Sequence, residues 1–77
     1  MDLIINNLQI PIEKDGIDAY LYIASQKLEI DAGTLSIKKI LSKSPDLSNK
    51  EQFYYKISLV VSTDDSFENK QNFPVYS

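Results

Sequence analysis

The sequence has no cysteine, no histidine and no arginine, and only two glycines among its 77 residues. Each absence closes a route. Without cysteine, no disulfide framework can staple the fold and the mark of an oxidising compartment is missing, so a cytoplasmic location is expected. Without histidine, the commonest general base near neutral pH and the commonest metal ligand are gone. With cysteine missing as well, zinc and copper sites are not expected. Gly16 and Gly33 alone cannot build a phosphate-cradling loop or a dinucleotide fingerprint. No apolar run approaches the roughly 20 residues of a membrane span. Met1 to Asn7 has neither the basic start nor the small-residue cleavage site of a signal peptide.

What remains is ordinary for a globular chain: 43% hydrophobic and 25% charged, too apolar to stay fully disordered. The length allows one domain. A chain this short buries only about 60% of the surface its unfolded form exposes. Its stability is expected in the lower part of the usual range, roughly 5–10 kcal/mol.

Leu3 to Ile12 is rich in β-branched residues, with Leu8, Ile10 and Ile12 alternating with Gln9 and Pro11. Leu3 and Ile5 keep the opposite parity, so a bulge at Asn6-Asn7 is expected where the phase switches. Pro11 is expected to end this strand. Asp15 is a candidate N-cap for the next element. Ile17, Tyr20, Leu21, Ala24 and Leu28 then fall on one face of a helix over 16–29, with Lys27 suited to its negative end. Gly33 supplies the expected turn.

A second strand is expected over 34–43, with Leu35, Ile37 and Leu41 on one face and Lys39 interrupting it. Ser36, Lys38 and Ser42 take the other face, with Ile40 among them. Residues 44–50 read as a turn-rich loop. The third strand, 53–62, is the clearest: Phe53, Tyr55, Ile57, Leu59 and Val61 line one face, and Tyr54, Lys56, Ser58 and Val60 the other. Residues 1–63 therefore read as one βαββ domain. Residues 64–77 read as an acidic, polar tail, with a short edge strand or a flexible end at 73–76. The expected fold is α+β, a ferredoxin-like βαββ(αβ) sandwich. One main helix packs on a small antiparallel or mixed sheet, and the third strand inserts antiparallel between the first two.

Catalysis is not expected from the chain by itself. The carboxylate pairs, Asp64 with Asp65, Asp15 with Asp18 and Glu29 with Asp31, lie in turns or at helix ends, where surface solvation or capping outweighs acid–base work. Serine is plentiful, but no histidine can activate it. A Ser–Lys pair fails on geometry, because Ser42, Lys43 and Ser44 are adjacent and alternate faces of a strand.

The charge layout is more informative. Residues 38–56 carry five lysines against Asp46 and Glu51, a net +3, while the rest of the chain sums to −6. Tyr54 and Tyr55 share that hairpin. Basic residues beside aromatics can bind single-stranded RNA. No RNP-like motif accompanies them, and lysines commonly blunt a sheet edge. Nucleic acid is accordingly the alternative partner, not the expected one. Of the five tyrosines, Tyr20 and Tyr55 are expected in the core, and Tyr22 and Tyr54 at an interface.

Leu8-Gln9-Ile10-Pro11-Ile12, the helix end Lys27-Leu28-Glu29-Ile30, the strand Leu35 to Ile40, Lys43-Ser44-Pro45-Asp46 and the aromatic strand Phe53 to Val61 together form a pattern. Over about Leu8 to Val61 it resembles the N-terminal domain of a group of bacterial FAD-dependent dehydrogenases. Its most specific part is Lys43 to Asp46, similar to a basic-Ser-x-Asp-Ala-Arg run in that family. Leu47 and Ser48 stand where Ala and Arg are usual, and Lys50 is the nearest replacement for the missing charge. The resemblance implies an excised or truncated accessory domain with no cofactor in this chain, FAD being held by a separate domain. The implied partner is that flavin domain or another protein, met through Lys38, Lys43, Ser44, Asp46, Lys50, Tyr54 and Lys56. The alternative is a small RNA- or protein-binding module acting through the same basic hairpin.

Overall fold

The computed structural model describes residues 1–76; Ser77, the last residue of the expected tail, lies outside the described residues. The chain runs β1 (Asp2–Pro11), a 3-10 turn (Ile12–Lys14), α1 (Ile17–Leu28), a second 3-10 turn (Ala32–Thr34), β2 (Ser36–Asp46) and β3 (Tyr54–Ser62). The sheet order is β1-β3-β2, with β3 antiparallel to both neighbours. The third strand thus inserts between the first two, as the alternation and the single helix predict. The fold is α+β, one helix on a three-stranded antiparallel sheet.

The phase switch in β1 is a bulge. Ile5 pairs with Leu59 and Leu8 with Ile57, so three steps along β1 match two along β3. Asn7 takes up the extra residue at φ 61°, a left-handed conformation that asparagine tolerates better than most side chains. As a result Leu3, Ile5, Leu8 and Ile10 all point into the core and are essentially fully buried. Opposite them on β3 stand Val61, Leu59, Ile57 and the half-buried Tyr55.

From α1, Tyr20, Ala24 and Leu28 enter this core, with Leu21 and Ile23 packed at its margin. Two expectations about the helix are corrected. Ile17 is 51% exposed, because Ala19 and Tyr20 are the residues of the first turn that face the core. The N-cap is Gly16, not Asp15, and no side chain caps the helix; the Asp15 carboxylate is engaged elsewhere.

The C-terminus is also built differently from the expected glycine turn. Glu29 adopts φ 59°, and its N–H donates to the carbonyl of Gln26 while the N–H of Ile30 donates to that of Ser25. This is a Schellman stop with glutamate at the position that favours glycine. Gly33 lies in the second 3-10 turn and has no positive φ. Replacing Glu29 with Gly is expected to stabilise the fold by about 0.5–1 kcal/mol, the left-handed penalty less the extra chain entropy of glycine. A urea unfolding midpoint that falls instead would show that the Gln71 amide contact on Glu29, at 3.1 Å, outweighs the strain.

β2 departs most from the sequence reading. It extends to Asp46, so Ser44 and Pro45 lie in a strand and not in the loop; proline is tolerated because β2 is an edge strand. Two register shifts, between Ile37 and Lys39 and between Ile40 and Ser42, insert extra residues. Each shift flips the alternation. Ile37, Ile40, Lys43 and Pro45 therefore pair with the helix-side residues Val61, Leu59, Ile57 and Tyr55. Leu41 is left 40% exposed, and Phe53, just before β3, is 44% exposed; neither joins the expected core face.

The segment after Ser62 has no repeating pattern, yet it is anchored. Phe67 and Phe73 pack against the core. The Asn69 side chain clasps the backbone of Phe73, donating to its carbonyl and accepting from its N–H at 2.8 and 2.9 Å. Val75 then bridges Leu3 on the outer edge of β1, with Ile4 N–H donating to the Pro74 carbonyl and Tyr76 N–H to that of Asp2.

Candidate interaction surface

The strand pairing divides the sequence-predicted residues between two faces. Asp46 pairs with Tyr54 and Ser44 with Lys56 on the face away from α1, where Gln9, Lys39 and Ser42 also lie. Lys56 is 3.9 Å from Asp46. Asp46 also accepts the Ser48 hydroxyl at 2.7 Å and the Ser48 N–H at 3.1 Å, a local turn that caps the end of β2. Lys38, an inserted residue of β2, reaches across the sheet to the carboxylate of Asp2, which the Ser62 hydroxyl also donates to. Lys50 is exposed in the loop between β2 and β3.

Lys43 is on the other face. The second register shift turns it toward α1, where its ammonium sits 2.6 Å from Asp15 and 4.4 Å from the centre of the Tyr55 ring. Tyr20 donates its hydroxyl to the same carboxylate, and its ring centre lies 5.7 Å from the ammonium. A cation over two aromatic faces with a carboxylate behind it is a fully partnered charge. Lys43 ties the hairpin to the helix entrance, so the structure does not bring it together with the other candidate residues.

Of the carboxylate pairs, Glu29, Asp31 and Asp64 line a concavity beside the end of α1. Asp15, Asp18, Glu29, Asp31, Asp64 and Asp65 are all exposed. Among the described residues no group of three acidic side chains is placed to hold a metal ion. No helix there is long and apolar enough to cross a membrane.

No protein family, curated protein or solved structure matches this chain.

Sequence reasoning did not foresee two concavities. One, of about 670 Å³, lies between the end of α1 and the segment after Ser62, with Leu28, Ile30 and Phe67 among its lining and Glu29, Asp31, Asp64 and Glu68 around them. The other, of about 380 Å³, is lined by Ile10, Pro11, Lys14, Ala19, Tyr22 and Ile23. Only the outward placing of Tyr22 hinted at the second.

The ion pairs set a pH dependence. Lys43 and then Tyr20 hold the Asp15 carboxyl below its ordinary value of 3.8, and Lys38 and then Ser62 do the same for Asp2. Hydrogen bonds from Gln52, Ser48 and Ser66 lower Glu13, Asp46 and Asp64. A carboxyl whose pKa is lower in the folded state stabilises the fold above its unfolded pKa, and that contribution is lost as pH falls through the folded value. At the alkaline end, Lys43 and Lys38 are raised by Asp15 and Asp2, and Tyr20 is raised by burial and then by Asp15. Those contributions are present below the ordinary values of 10.5 and 10.0 and are lost as pH rises through the folded ones. With no histidine, the urea midpoint is expected to be flat from about pH 6 to 9, falling below about pH 4 and above about pH 10. Asp15→Asn is expected to shrink both limbs; a slope centred near neutrality would contradict this assignment.

Proposed function

We propose that this chain is a non-catalytic accessory domain, the N-terminal piece of a cytoplasmic FAD-dependent oxidoreductase, forming the opening βαββ part of a ferredoxin-like fold. It docks on the flavin domain of its parent protein through the outer face of the β2–β3 hairpin and carries no cofactor of its own. The observation that supports this is the exposed polar part of the sheet face away from α1, although Val60 on the same face is fully buried. Gln9, Lys39, Ser42, Ser44 and Lys56 stand exposed on it, and the one α-helix of the described residues packs on the opposite side. Tyr54 lies half-buried among them, an aromatic anchor beside flexible charges.

RNA suits the same surface less well. Lys38, Lys43 and Lys56 each face a carboxylate, which leaves Lys39 and Lys50 as the hairpin lysines without an ion pair among the described residues. Binding through so few free cations would be weak and would fall steeply with salt.

Two measurements test the proposal. The parent gene, or its neighbour, should encode a Gly-rich dinucleotide motif; its absence from both would sink the flavin assignment. The flavin domain encoded there should bind the purified chain, and Lys39→Glu with Lys56→Glu should weaken that binding about tenfold or more, the scale of an interface hot spot. Binding indifferent to these changes would place the contact elsewhere.

A further inference from the structure

The apolar pocket beside Tyr22 lies away from the hairpin face and is independent of the reading above. Its β1 lining is Ile10 and Pro11, its helix lining is Ala19, Tyr22 and Ile23, and no β3 residue contributes, so it opens at the outer rim of β1. Ala19, Tyr22 and Ile23 follow one another at i, i+3 and i+4, one stripe of α1 next to the core stripe. Tyr22 is a large aromatic of this lining and is 59% exposed. Lys14 is the one charged residue of the lining, and it has no ion pair among the described residues.

The edge of β1 next to this pocket is also open. The chain's own segment 73–76 pairs with the outer edge only at Asp2 to Ile4. From the Asn6-Asn7 bulge to Pro11, no described strand lies on that side. An extended backbone can therefore be laid against the open part of the edge, with one side chain entering the pocket and a neighbouring charge meeting Lys14.

We propose that this pocket binds an extended segment of a partner protein that carries an aromatic or branched aliphatic anchor next to an aspartate or glutamate. The apolar lining selects the anchor, Tyr22 covers it, and the unpaired ammonium of Lys14 selects the acidic neighbour. A basic neighbour would be repelled by Lys14. In a second copy the exposed Leu47 stands beside Asp46, whose carboxylate is already held by Ser48 and Lys56, and the test reads self-association separately.

The test is selection of random-sequence peptides on the immobilised full chain, followed by affinity measurement of the selected peptides. Enriched peptides should carry an aromatic or branched aliphatic residue within two positions of Asp or Glu. Tyr22→Ala should weaken them about tenfold, the scale of a hot-spot truncation. Lys14→Glu should weaken them too, and selection repeated on that variant should favour Lys or Arg beside the anchor. Both side chains are exposed, so thermal midpoints should stay at the parent value. Lys39→Glu and Lys56→Glu, on the hairpin, should leave peptide binding unchanged, which separates this site from the docking face above. Selection without such a motif, binding indifferent to Tyr22→Ala and Lys14→Glu, or loss of binding in the hairpin variants would each overturn the proposal. Concentration-dependent self-association abolished by Tyr22→Ala would overturn it as well, by making a second copy the occupant.

Discussion

Replacing Leu8 with Ala is expected to remove about 2–5 kcal/mol, a large share of the roughly 5–10 kcal/mol that a domain of this size holds. Leu3 and Ile5 point to the core before the bulge, and Leu8 and Ile10 point there after it, because the two residues between Ile5 and Leu8 match the single Ser58 between Leu59 and Ile57. Deleting Asn7 removes the extra residue and leaves an unbroken period of two, in which all four aliphatic side chains keep the core face and Gln9 stays outward. The deletion is therefore expected to cost far less than Leu8→Ala. Urea unfolding followed by far-UV circular dichroism measures the loss. Asn7→Gly, which keeps the left-handed bulge, is expected to be near neutral or mildly stabilising. Asn7→Val, β-branched at φ 61°, is expected to cost about 1–2 kcal/mol. A deletion variant destabilised as far as Leu8→Ala would show that the bulge does more than absorb the extra residue.

The same residue shows why part of this fold can be read from sequence. In β1 the parity of apolar residues switches across two asparagines, so both the break and its place are written in the alternation. β3 alternates without a fault from Tyr54 to Ser62, and its reading fails only at Phe53, one residue before the strand begins. β2 was harder to read because its two inserted residues, Lys38 and Leu41, leave no mark in polarity. Lys39 and Lys43 both interrupt an apolar pattern, but only pairing with β3 shows that Lys43 faces α1 and Lys39 does not. The candidate surface was misjudged at that one lysine for the same reason. The helix stop was missed because its left-handed residue is Glu29 rather than glycine, held by backbone bonds from Glu29 and Ile30 that composition does not reveal. Phe67 and Phe73 stand among polar residues with no period, and their role depends on where the tail returns against the core.

Tyr20 is the residue on which the helix entrance and the hairpin meet, and its replacement by Ala is expected to cost about 3–5 kcal/mol, as for other buried aromatic truncations. Only 3% of it is exposed, and its hydroxyl shares Asp15 with Lys43. Tyr20→Phe separates the two contributions. The ring still fills the core and still lies near the Lys43 ammonium, but the hydrogen bond to Asp15 is gone; the expected cost is about 1–2 kcal/mol. Crossing each variant with Lys43→Met, which keeps an apolar stem, then asks what the lysine does. A strut that holds the hairpin to the helix through Asp15 and the two tyrosines should matter less once Tyr20 is Ala, so the effects should be less than additive. A lysine acting independently on the outside would give additive effects. The acid limb of the pH profile supplies a second readout, because Asp15→Asn and Lys43→Met should both shrink that limb, Asp15→Asn the more because Tyr20 still holds the carboxyl in Lys43→Met. Non-additive stabilities together with a shared acid limb would confine partner docking on the hairpin to its outer face, with Lys39, Lys50, Tyr54 and Lys56 as the residues to test there.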